Sequence, residues 1–293
     1  MARELPGAGL SAGPTAFVLA GGGSLGAAQA GMLAELSAAG IRPDMIVGVS
    51  AGAINGAFYA HEPVAETVIR MSALWSGFTT RQALGLSWRS LLGLVGLRDH
   101  VASALGLRGL LRTELRYSAF HETAIPLHVV CAELLTGAEV VISSGSVVEA
   151  ILASTAIPGV YPPVLHAGRQ LVDGAVAATT PIATAVRLGA RRLVVLPAGF
   201  ACGVRSVARN AIARAMHAIT LLGAGQLKQD FVHYGGQARI HIVPPLCPIE
   251  HSAYDYSHGA DLIARAREST RNWLEGGGLE RSEFPGPLSP HSH

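Results

Sequence analysis

Val47-Gly48-Val49-Ser50-Ala51-Gly52-Ala53 lies between a short apolar run of strand type, residues 44–47, and a segment of helical composition, residues 53–60. Its Gly-x-Ser-x-Gly pattern is that of the nucleophile elbow, in which a serine occupies a sharp turn from a strand into a helix. Glycine two positions before and after the serine avoids side-chain clashes in such a strained turn. An ordinary tight turn also fits, because a chain with 35 glycines produces this short pattern by chance. The interpretation of the motif therefore depends on its surroundings.

The composition is that of a compact protein with a buried sheet. Of 293 residues, 49% are hydrophobic and 14% are charged, which suits one large α/β domain or two small ones. A net charge of +2 without a long basic run argues against a nucleic-acid partner. Cys131, Cys202 and Cys247 are odd in number and lack CxxC spacing, so we expect reduced thiols in a cytoplasmic protein. The twelve histidines form no HExxH or paired Cys/His pattern, so we expect no metal site.

The beginning of the chain imitates a membrane or secretion signal. Residues 5–34 carry no charged side chain, a length sufficient to span a bilayer, and Arg3 resembles the start of a signal peptide. Three consecutive glycines at 21–23 would break a spanning helix, and Pro6 and Pro14 interrupt the approach to it. A buried strand, a glycine turn and a buried helix explain the same residues better. We therefore expect a cytoplasmic location, with peripheral membrane contact at most.

The order of the predicted elements indicates one α/β domain. Residues 15–20 predict a strand, 21–26 a glycine loop and 27–36 a helix, and the next strand runs directly into the elbow. This order is typical of a parallel sheet with right-handed crossovers. No repeat or linker divides residues 15–275, so we expect a single domain between a flexible arm, 1–14, and a disordered tail, 276–293. Further helices are predicted over residues 61–80, 146–154, 205–234 and 254–274, and further strands over 127–131, 139–142, 170–172, 191–197 and 238–243.

The glycine loop Gly21-Gly22-Gly23-Ser24-Leu25-Gly26 has two interpretations. Its Gly-x-Gly-x-x-Gly spacing between a strand and a helix matches the dinucleotide-binding fingerprint. That fingerprint requires an acidic residue at the end of the second strand, whereas Asp44 precedes this strand. Alternatively, uncovered N–H groups at a helix N-terminus form an oxyanion hole for a developing negative charge. Because both glycine turns end adjacent parallel strands, only the oxyanion hole explains why they occur together.

Two later segments carry further functional signals. Asp173-Gly174-Ala175 follows a short strand, and its small residues leave room for another turn to approach the carboxylate; an ordinary Asp-Gly turn is the alternative. Residues 81–98 are rich in leucine, contain Trp88 and are edged by arginines. They fit an amphipathic cap, within residues 81–112, that contacts lipid or an acyl chain, and they fit equally well a helical hairpin packed on the core.

Taken in order, the glycine loop, the elbow around Ser50 and the Asp173 motif resemble those of the patatin-like phospholipase family. The resemblance extends over residues 15–275 and includes the loop 156–163, which reads Ala-Ile-Pro-Gly-Val-Tyr-Pro-Pro. It implies an α/β fold of the FabD/lysophospholipase-like type, a three-layer α/β/α sandwich with a mostly parallel central sheet. It also implies a serine hydrolase with a Ser-Asp dyad, without a catalytic histidine, a metal ion or another cofactor.

Carried over residue by residue, the resemblance makes Ser50 the nucleophile and Asp173 its base. A lone carboxylate is a weak base in water, but in a desolvated pocket beside the hydroxyl it can take the proton as attack proceeds. The chain departs from the family at Leu25, where Arg or Lys is frequent, and at Ala175, where a third glycine is usual; neither departure removes a catalytic group. The other expected site residues are the oxyanion-hole residues Gly21, Gly22, Gly23, Ser24 and Gly26 and the motif residues Gly48, Gly52, Gly174 and Ala175.

The resemblance therefore predicts an acyl-ester hydrolase acting on lipids, of phospholipase A, lysophospholipase or esterase type, through an acyl-enzyme on Ser50. The expected partners are a lipid or acyl-ester substrate and a membrane surface contacted by residues 81–98, with no nucleic acid. Three alternatives stay open: acyl transfer to an alcohol, a dinucleotide- or lipid-binding module without catalysis, and a Ser-His-Asp esterase. Candidate bases for the last are His217, His233, His241 and His258.

Overall fold

The computed structural model describes residues 13–77, 79, 103–199, 202 and 211–288, of which 211–217 and 287 by their backbone alone. An eight-stranded sheet forms the centre of the protein. Its strands are β1 Thr15–Leu19, β2 Met45–Val49, β3 Leu127–Glu133, β4 Glu139–Ile142, β5 Val164–His166, β6 Arg169–Asp173, β7 Arg192–Leu196 and β8 Arg239–Ile242. Successive strands in the series β5-β6-β3-β2-β1-β7-β8 are hydrogen-bonded to each other, and β4 also pairs with β3.

The sheet is mostly parallel, as expected. β1, β2, β3, β7 and β8 run in one direction, whereas β4, β5 and β6 pair antiparallel with their neighbours. The hairpin of β3 and β4 confirms the pair of strands predicted on either side of Gly137, which has the positive φ of 69° that such a turn favours. β5 begins directly after the proline-rich loop 156–163, where the sequence predicts no strand, and it has only three residues.

Helices cover both faces of the sheet. The described α-helices are α1 Ala27–Ala38, α2 Ala51–His61, α3 Ala65–Gly77, α4 Leu105–Glu114, α5 Val147–Ser154, α6 Ile182–Arg187, α7 Ala211–Tyr234 and α8 Gly259–Glu275. Alternate residues of β1 show how the layers are divided: Phe17 and Leu19 join a buried cluster with α1, α2 and α8, whereas Ala16 and Val18 join a second cluster with α6 and α7. Because side chains of a strand alternate between its two faces, the clusters lie on opposite sides of the sheet. The expected three-layer α/β/α sandwich is confirmed.

β2 and β6 meet end to end along one edge of β3. Val129 and Val130 pair with both β2 and β4, while Cys131 and Ala132 pair with both β4 and β6. A strand has two hydrogen-bonding edges, so β4 occupies one edge and β2 and β6 share the other. β2 ends at Val49 opposite Val130, and the last residue of β6 lies opposite Cys131. The residue after β2 and the last residue of β6 are therefore brought together.

The described part of the C-terminal segment, residues 276–288, lies against the sheet, which differs from the expected disordered tail. Ser282 Oγ donates a hydrogen bond of 2.7 Å to a carbonyl of β8, Phe284 packs edge-on against a phenylalanine of α7, and Leu288 is buried. Hydrophobic contacts of this kind give a short segment enough buried area to stay in place. Residues 1–12 lie outside the described part, so the flexible arm stays a prediction.

The leucine-rich cap is described only in part. Residues 81–102 of the expected cap, 81–112, lie outside the described residues. Residues 105–112 belong to α4, in which Leu107 and Leu111 are buried in the core while Leu105 is 74% exposed. The described portion of the cap therefore packs on the core. None of the helices described combines the length and apolar character that crossing a bilayer requires.

Candidate active site

Ser50 occupies the turn from β2 into α2 with φ of 53° and ψ of −121°. Such a conformation costs a residue other than glycine about 1–3 kcal/mol and persists only where the surrounding structure enforces it. A Cβ atom on Gly48 would lie 2.5 Å from the Gly52 carbonyl oxygen, and one on Gly52 would overlap the Leu19 carbonyl oxygen. Close backbone approach therefore requires glycine at both positions, for the reason inferred from the motif.

The Ser50 hydroxyl donates a hydrogen bond of 2.7 Å to Oδ2 of Asp173, and both side chains are buried. Asp173 ends β6, and its other oxygen, Oδ1, accepts the Ala175 N–H at 2.9 Å. A Cβ atom on Gly174 would overlap the Val130 carbonyl oxygen. Glycine is thus needed at position 174, where β6 meets the edge of β3, so the Asp173 motif is more than an isolated Asp-Gly turn.

Burial changes the acidity of the Asp173 carboxyl. Removal from water raises its pKa to about 6, against the lowering effect of the hydrogen bonds from Ser50 and the Ala175 N–H. The carboxylate is consequently ionised at neutral pH yet far more basic than an exposed aspartate. A group with these properties, in direct contact with a serine hydroxyl, fits a general base.

The glycine loop offers fewer N–H donors than the sequence predicts. Among the described residues, the N–H groups of Gly22 and Gly23 have no acceptor, whereas that of Gly21 donates to the Thr179 carbonyl at 2.9 Å and that of Ser24 to the Ala253 carbonyl at 2.8 Å. We therefore correct the expected donor set, because Gly21 and Ser24 use their N–H groups within the fold.

Gly26, the last glycine of the loop, has a packing role. A Cβ atom there would lie 2.6 Å from the Cβ of Ala51, the first residue of α2. Glycine at this position lets the loop approach the start of the helix that follows Ser50. Gly22 and Gly23 remain as the oxyanion-hole candidates, with Gly23 held at a positive φ of 56°.

A buried amide network lies beneath this loop. Gln29 donates to the carbonyls of Ala20 and Leu196 at 2.8 and 2.9 Å. Asn55 donates to the Gly26 carbonyl and to the Gln29 side-chain oxygen at 2.8 and 2.9 Å, and it accepts the indole N–H of Trp75 at 2.7 Å. Every side-chain donor of the two amides is used, so the network holds both ends of the glycine loop.

Sequence reasoning missed these polar residues. The available signal was their placement: Gln29 lies in an otherwise apolar stretch of α1, and Asn55 lies in an otherwise apolar stretch of α2. A buried amide inside an apolar helix requires several hydrogen-bond partners, which points to a structural contact with neighbouring backbone.

An apolar cleft opens beside Ser50. It has a volume of about 770 Å³ counted out to its open mouth, which includes open solvent. Asp173, Gly22 and Gly23 lie on its polar side, and Tyr254 also borders it. Other parts of its wall are hydrophobic: Ile157 and Pro158 of the proline-rich loop, Val176, Ile219, Leu227 and Leu288. The arrangement suits an ester carbonyl at Ser50 with an attached hydrocarbon chain along the apolar wall.

None of the candidate histidines whose side chains are described contacts Ser50 or Asp173. Of the candidate bases, His241 contacts the Arg281 carbonyl at 2.8 Å through Nδ1, His258 lies 3.4 Å from Asp255, and His233 stacks edge-on against its neighbour Tyr234. The side chain of His217 lies outside the described atoms. The contact between Ser50 and Asp173 needs no intervening imidazole.

The geometry also argues against the dinucleotide interpretation. Asp44, the nearest acidic residue to the second strand, accepts the Thr15 N–H at 2.7 Å at the amino ends of β1 and β2. The glycine loop follows the carboxyl end of β1, so Asp44 lies at the opposite end of the sheet from the loop. No group of three or more His, Cys, Asp or Glu within the described residues could hold a metal ion.

A family model described as patatin-like phospholipase matches residues 17–186, a range that contains the glycine loop, Ser50 and Asp173 and more than half of the chain. The chain belongs to the patatin-like phospholipase family. Membership accounts for the joint occurrence of the elbow, the glycine loop and the aspartate motif in one parallel sheet.

Curated relatives share the same region. Patatin-like phospholipase domain-containing protein 7 of Mus musculus is 27% identical over 65% of this chain and 14% of its own length. An uncharacterised NTE family protein of Mycobacterium bovis is 29% identical over 59% of this chain and 27% of its own. Lysophospholipase nte1 of Aspergillus terreus is 32% identical over 54% of this chain and 10% of its own. The match therefore spans between a tenth and about a quarter of these relatives.

Solved structures that superpose on this chain have lower sequence identity to it than the curated relatives. VipD from Legionella pneumophila superposes with a TM-score of 0.45 at 12% identity, over 92% of this chain and 67% of that chain. Human GIVD cytosolic phospholipase A2 superposes with a TM-score of 0.46 at 11% identity, over 92% of this chain and 59% of that chain. Similarity at this level adds nothing to what the geometry of the site supports.

Proposed function

We propose that this protein is a serine hydrolase that cleaves acyl esters of lipids, with Ser50 as nucleophile and Asp173 as general base. The observation that carries the proposal is the 2.7 Å hydrogen bond from the Ser50 hydroxyl to the buried Asp173 carboxylate. The unoccupied N–H groups of Gly22 and Gly23 border the same cleft. Nucleophile, base and oxyanion donors are the three parts that acyl transfer requires.

In the acylation half, Asp173 takes the proton of the Ser50 hydroxyl as its oxygen attacks the ester carbonyl carbon. The carbonyl oxygen becomes negative and is stabilised by the N–H groups of Gly22 and Gly23. Collapse of this intermediate breaks the ester bond, and Asp173 gives its proton to the leaving alcohol. An acyl-enzyme remains on Ser50.

In the deacylation half, a water molecule attacks the acyl carbonyl carbon while Asp173 accepts one of its protons. The second tetrahedral intermediate uses the same N–H donors. Its collapse releases the fatty acid, and the proton held by Asp173 returns to the Ser50 oxygen. An alcohol in place of water would complete an acyl transfer by the same steps.

The apolar wall of the cleft supports a lipid substrate. Ile219, Leu227 and Leu288 offer a hydrophobic surface to an acyl chain, and no lysine or arginine borders the cleft among the described residues to select a charged head group. The word lysophospholipase in the name of one relative fits the same substrate class. The substrates proposed are phospholipids, lysophospholipids and simple acyl esters, reached from the cytoplasm at a membrane surface.

Membrane contact is proposed for residues 81–98, whose leucines, Trp88 and flanking arginines suit an anionic lipid surface. Flotation with anionic liposomes tests it: Trp88→Ala and Leu91→Ala should each reduce the bound fraction. Binding unchanged in both variants would contradict the contact.

Labelling with a fluorophosphonate probe tests the nucleophile. The parent protein should be labelled at Ser50 and should hydrolyse a medium-chain p-nitrophenyl ester, with activity on phospholipids and lysophospholipids measured next. Ser50→Ala should abolish labelling, and Ser50→Ala and Asp173→Asn should each lower kcat by at least about a thousandfold.

Ser76→Ala and Asp261→Asn make the same two chemical changes at exposed positions and serve as matched controls. Both controls should keep the parent activity. Full activity in Asp173→Asn, or labelling that persists in Ser50→Ala, would contradict the proposed roles.

A further inference from the structure

The end of α5 contacts both members of the dyad. The Ser154 hydroxyl oxygen accepts the backbone N–H of Ser50 at 2.8 Å, and the carbonyl of Ala156 accepts the backbone N–H of Asp173 at 2.9 Å. Ser154 is completely buried and makes a third contact, donating its own hydroxyl proton to the Val130 carbonyl at 2.6 Å. Ser154 and Ala156 therefore hold the nucleophile and the base from one side.

The position of the Ser154 hydroxyl in the β2–β3 ladder indicates what it does. The Ile46 N–H donates to the Pro126 carbonyl at 2.8 Å. In a parallel pair this bond recurs every second residue, so in a regular ladder the Ser50 N–H would donate to the Val130 carbonyl. The chain turns away at Ser50, and the hydroxyl of Ser154 instead lies between these two groups. It takes the place of one rung of the ladder.

A substitute rung is needed because of the Ser50 backbone. The φ of 53° and ψ of −121° lift Ser50 out of the strand, and a direct bond to Val130 would pull it back. Without any partner, the buried N–H of Ser50 would carry an unfavourable desolvation cost. A hydroxyl bridges this gap because it accepts and donates at once, so its length sets how far the elbow stands from β3.

We propose that Ser154 is a positioning residue, whose hydroxyl holds the Ser50 backbone at the distance from β3 that aligns the nucleophile with Asp173. The proposal rests on the proposed function, in which these two side chains react together. Ser154 does not touch the substrate; it acts through the Ser50 N–H.

Thr155 provides a matched control. It is the next residue, it is also buried, and its hydroxyl donates to the Ile151 carbonyl at 2.8 Å, within the same helix end. The described structure gives it no contact with the dyad. Ser154→Ala and Thr155→Val each remove one buried hydroxyl, but only the first removes a bond to the nucleophile.

The experiment measures kcat and KM for a p-nitrophenyl ester, the rate of fluorophosphonate labelling, and the melting temperature of each variant. Ser154→Ala should lower kcat and the labelling rate by about 10- to 100-fold, because a small displacement of a reacting group costs this much, and should leave KM within about threefold. Thr155→Val should keep kcat within about twofold, whatever its melting temperature.

The pH profile of labelling separates positioning from general loss of stability. The hydrogen bond from Ser50 lowers the pKa of Asp173, so a displaced Ser50 should move the acid limb of the profile to higher pH. The titratable groups that face Asp173 are Cys131, Tyr254 and Tyr256, and burial raises the pKa of each far above this range. They stay neutral near the limb, which therefore reports Asp173. Thr155→Val should leave the limb where it is in the parent.

The outcomes are distinguishable. A parent protein that is neither labelled at Ser50 nor active on esters would overturn the proposed function and this role with it. A labelled parent with a Ser154→Ala variant of equal kcat and unmoved acid limb would overturn the positioning role alone, as would equal losses in both variants. If Ser154→Ala does not fold, Ser154→Cys decides by the same criteria, because its longer and weaker thiol bridge should also lower kcat at unchanged KM.

Discussion

Replacing Asn55 with leucine removes the centre of the buried amide network while keeping a side chain of similar size. The change removes three hydrogen bonds: the indole N–H of Trp75 loses the Asn55 oxygen, and the oxygens of Gln29 and Gly26 lose the amide donor. The Gly26 carbonyl precedes α1 and still accepts the first helical bond, so two groups carry a cost of about 1–3 kcal/mol each, about 2–6 kcal/mol together. Burial of the leucine offsets about 2 kcal/mol of it. We expect the free energy of unfolding to fall by about 2 kcal/mol, a substantial part of the roughly 5–15 kcal/mol typical of a domain.

Urea denaturation followed by circular dichroism measures this change, with Asn272→Leu as the control because Asn272 is exposed on α8. Asn272→Leu should change the free energy of unfolding by less than about 0.5 kcal/mol. Trp75→Phe removes one donor from the network and should cost less than Asn55→Leu. An Asn55→Leu protein within about 1 kcal/mol of the parent would refute the reasoning that these bonds hold the glycine loop.

Three further predictions concern the site and its walls. The kcat/KM for ester hydrolysis should fall as the pH drops below about 6, where Asp173 becomes protonated. The pKa of Asp173 in the folded protein lies above its unfolded value of 3.8, so its contribution to the free energy of unfolding is full below pH 3.8 and is lost as the pH rises through 6. Asp173→Asn should remove this pH dependence of stability. Gly52→Ala should prevent folding, because its Cβ would overlap a carbonyl of β1, whereas Gly109→Ala on the open face of α4 should stabilise the protein by about 0.5–1 kcal/mol, as thermal denaturation will show. Leu227→Trp should lower kcat/KM for a dodecanoate ester far more than for an acetate ester, while Leu222→Trp, 73% exposed on the same helix, should change neither.

Each of these predictions has a clear contrary result. An acid limb near pH 4, the ordinary range of aspartate, would mean that burial does not raise the pKa of Asp173. A stable Gly52→Ala protein would mean that the elbow has room for a side chain. Equal sensitivity of the short and long esters to Leu227→Trp would mean that the acyl chain lies elsewhere.

The positions of Ser50 and Asp173, the proposed catalytic pair, were predictable because their requirements are local. Gly48 and Gly52 are dictated by the crowding of a single turn, and the serine between them is exposed to the cleft by that turn. Asp173 was predictable for a similar reason, since the glycine after it is needed where β6 meets β3. Such steric demands leave a signature in neighbouring residues.

Non-local contacts account for what the sequence did not reveal. Gly21 and Ser24 look like oxyanion donors until Thr179 and Ala253, both more than a hundred residues away along the chain, take their N–H groups. The bond from Ser50 to Ser154 joins residues 104 positions apart, and no local pattern marks it. Hydrogen bonds between distant segments depend on the assembled fold, and periodicity records only which face of an element is buried.

The position of β2 and β6 on one edge of β3 also affects how such a protein can diverge in evolution. Val49, which precedes Ser50, pairs with Val130 of β3, and Asp173 pairs with the adjacent residue, Cys131. Their separation in space is therefore independent of the length of chain that joins them. A segment inserted or deleted between α3 and β3 would leave Ser50 in place against Asp173, whereas a one-residue slip of β6 would turn the carboxylate to the other face of the sheet. The length of the connecting chain and the geometry of these two residues can thus diversify separately.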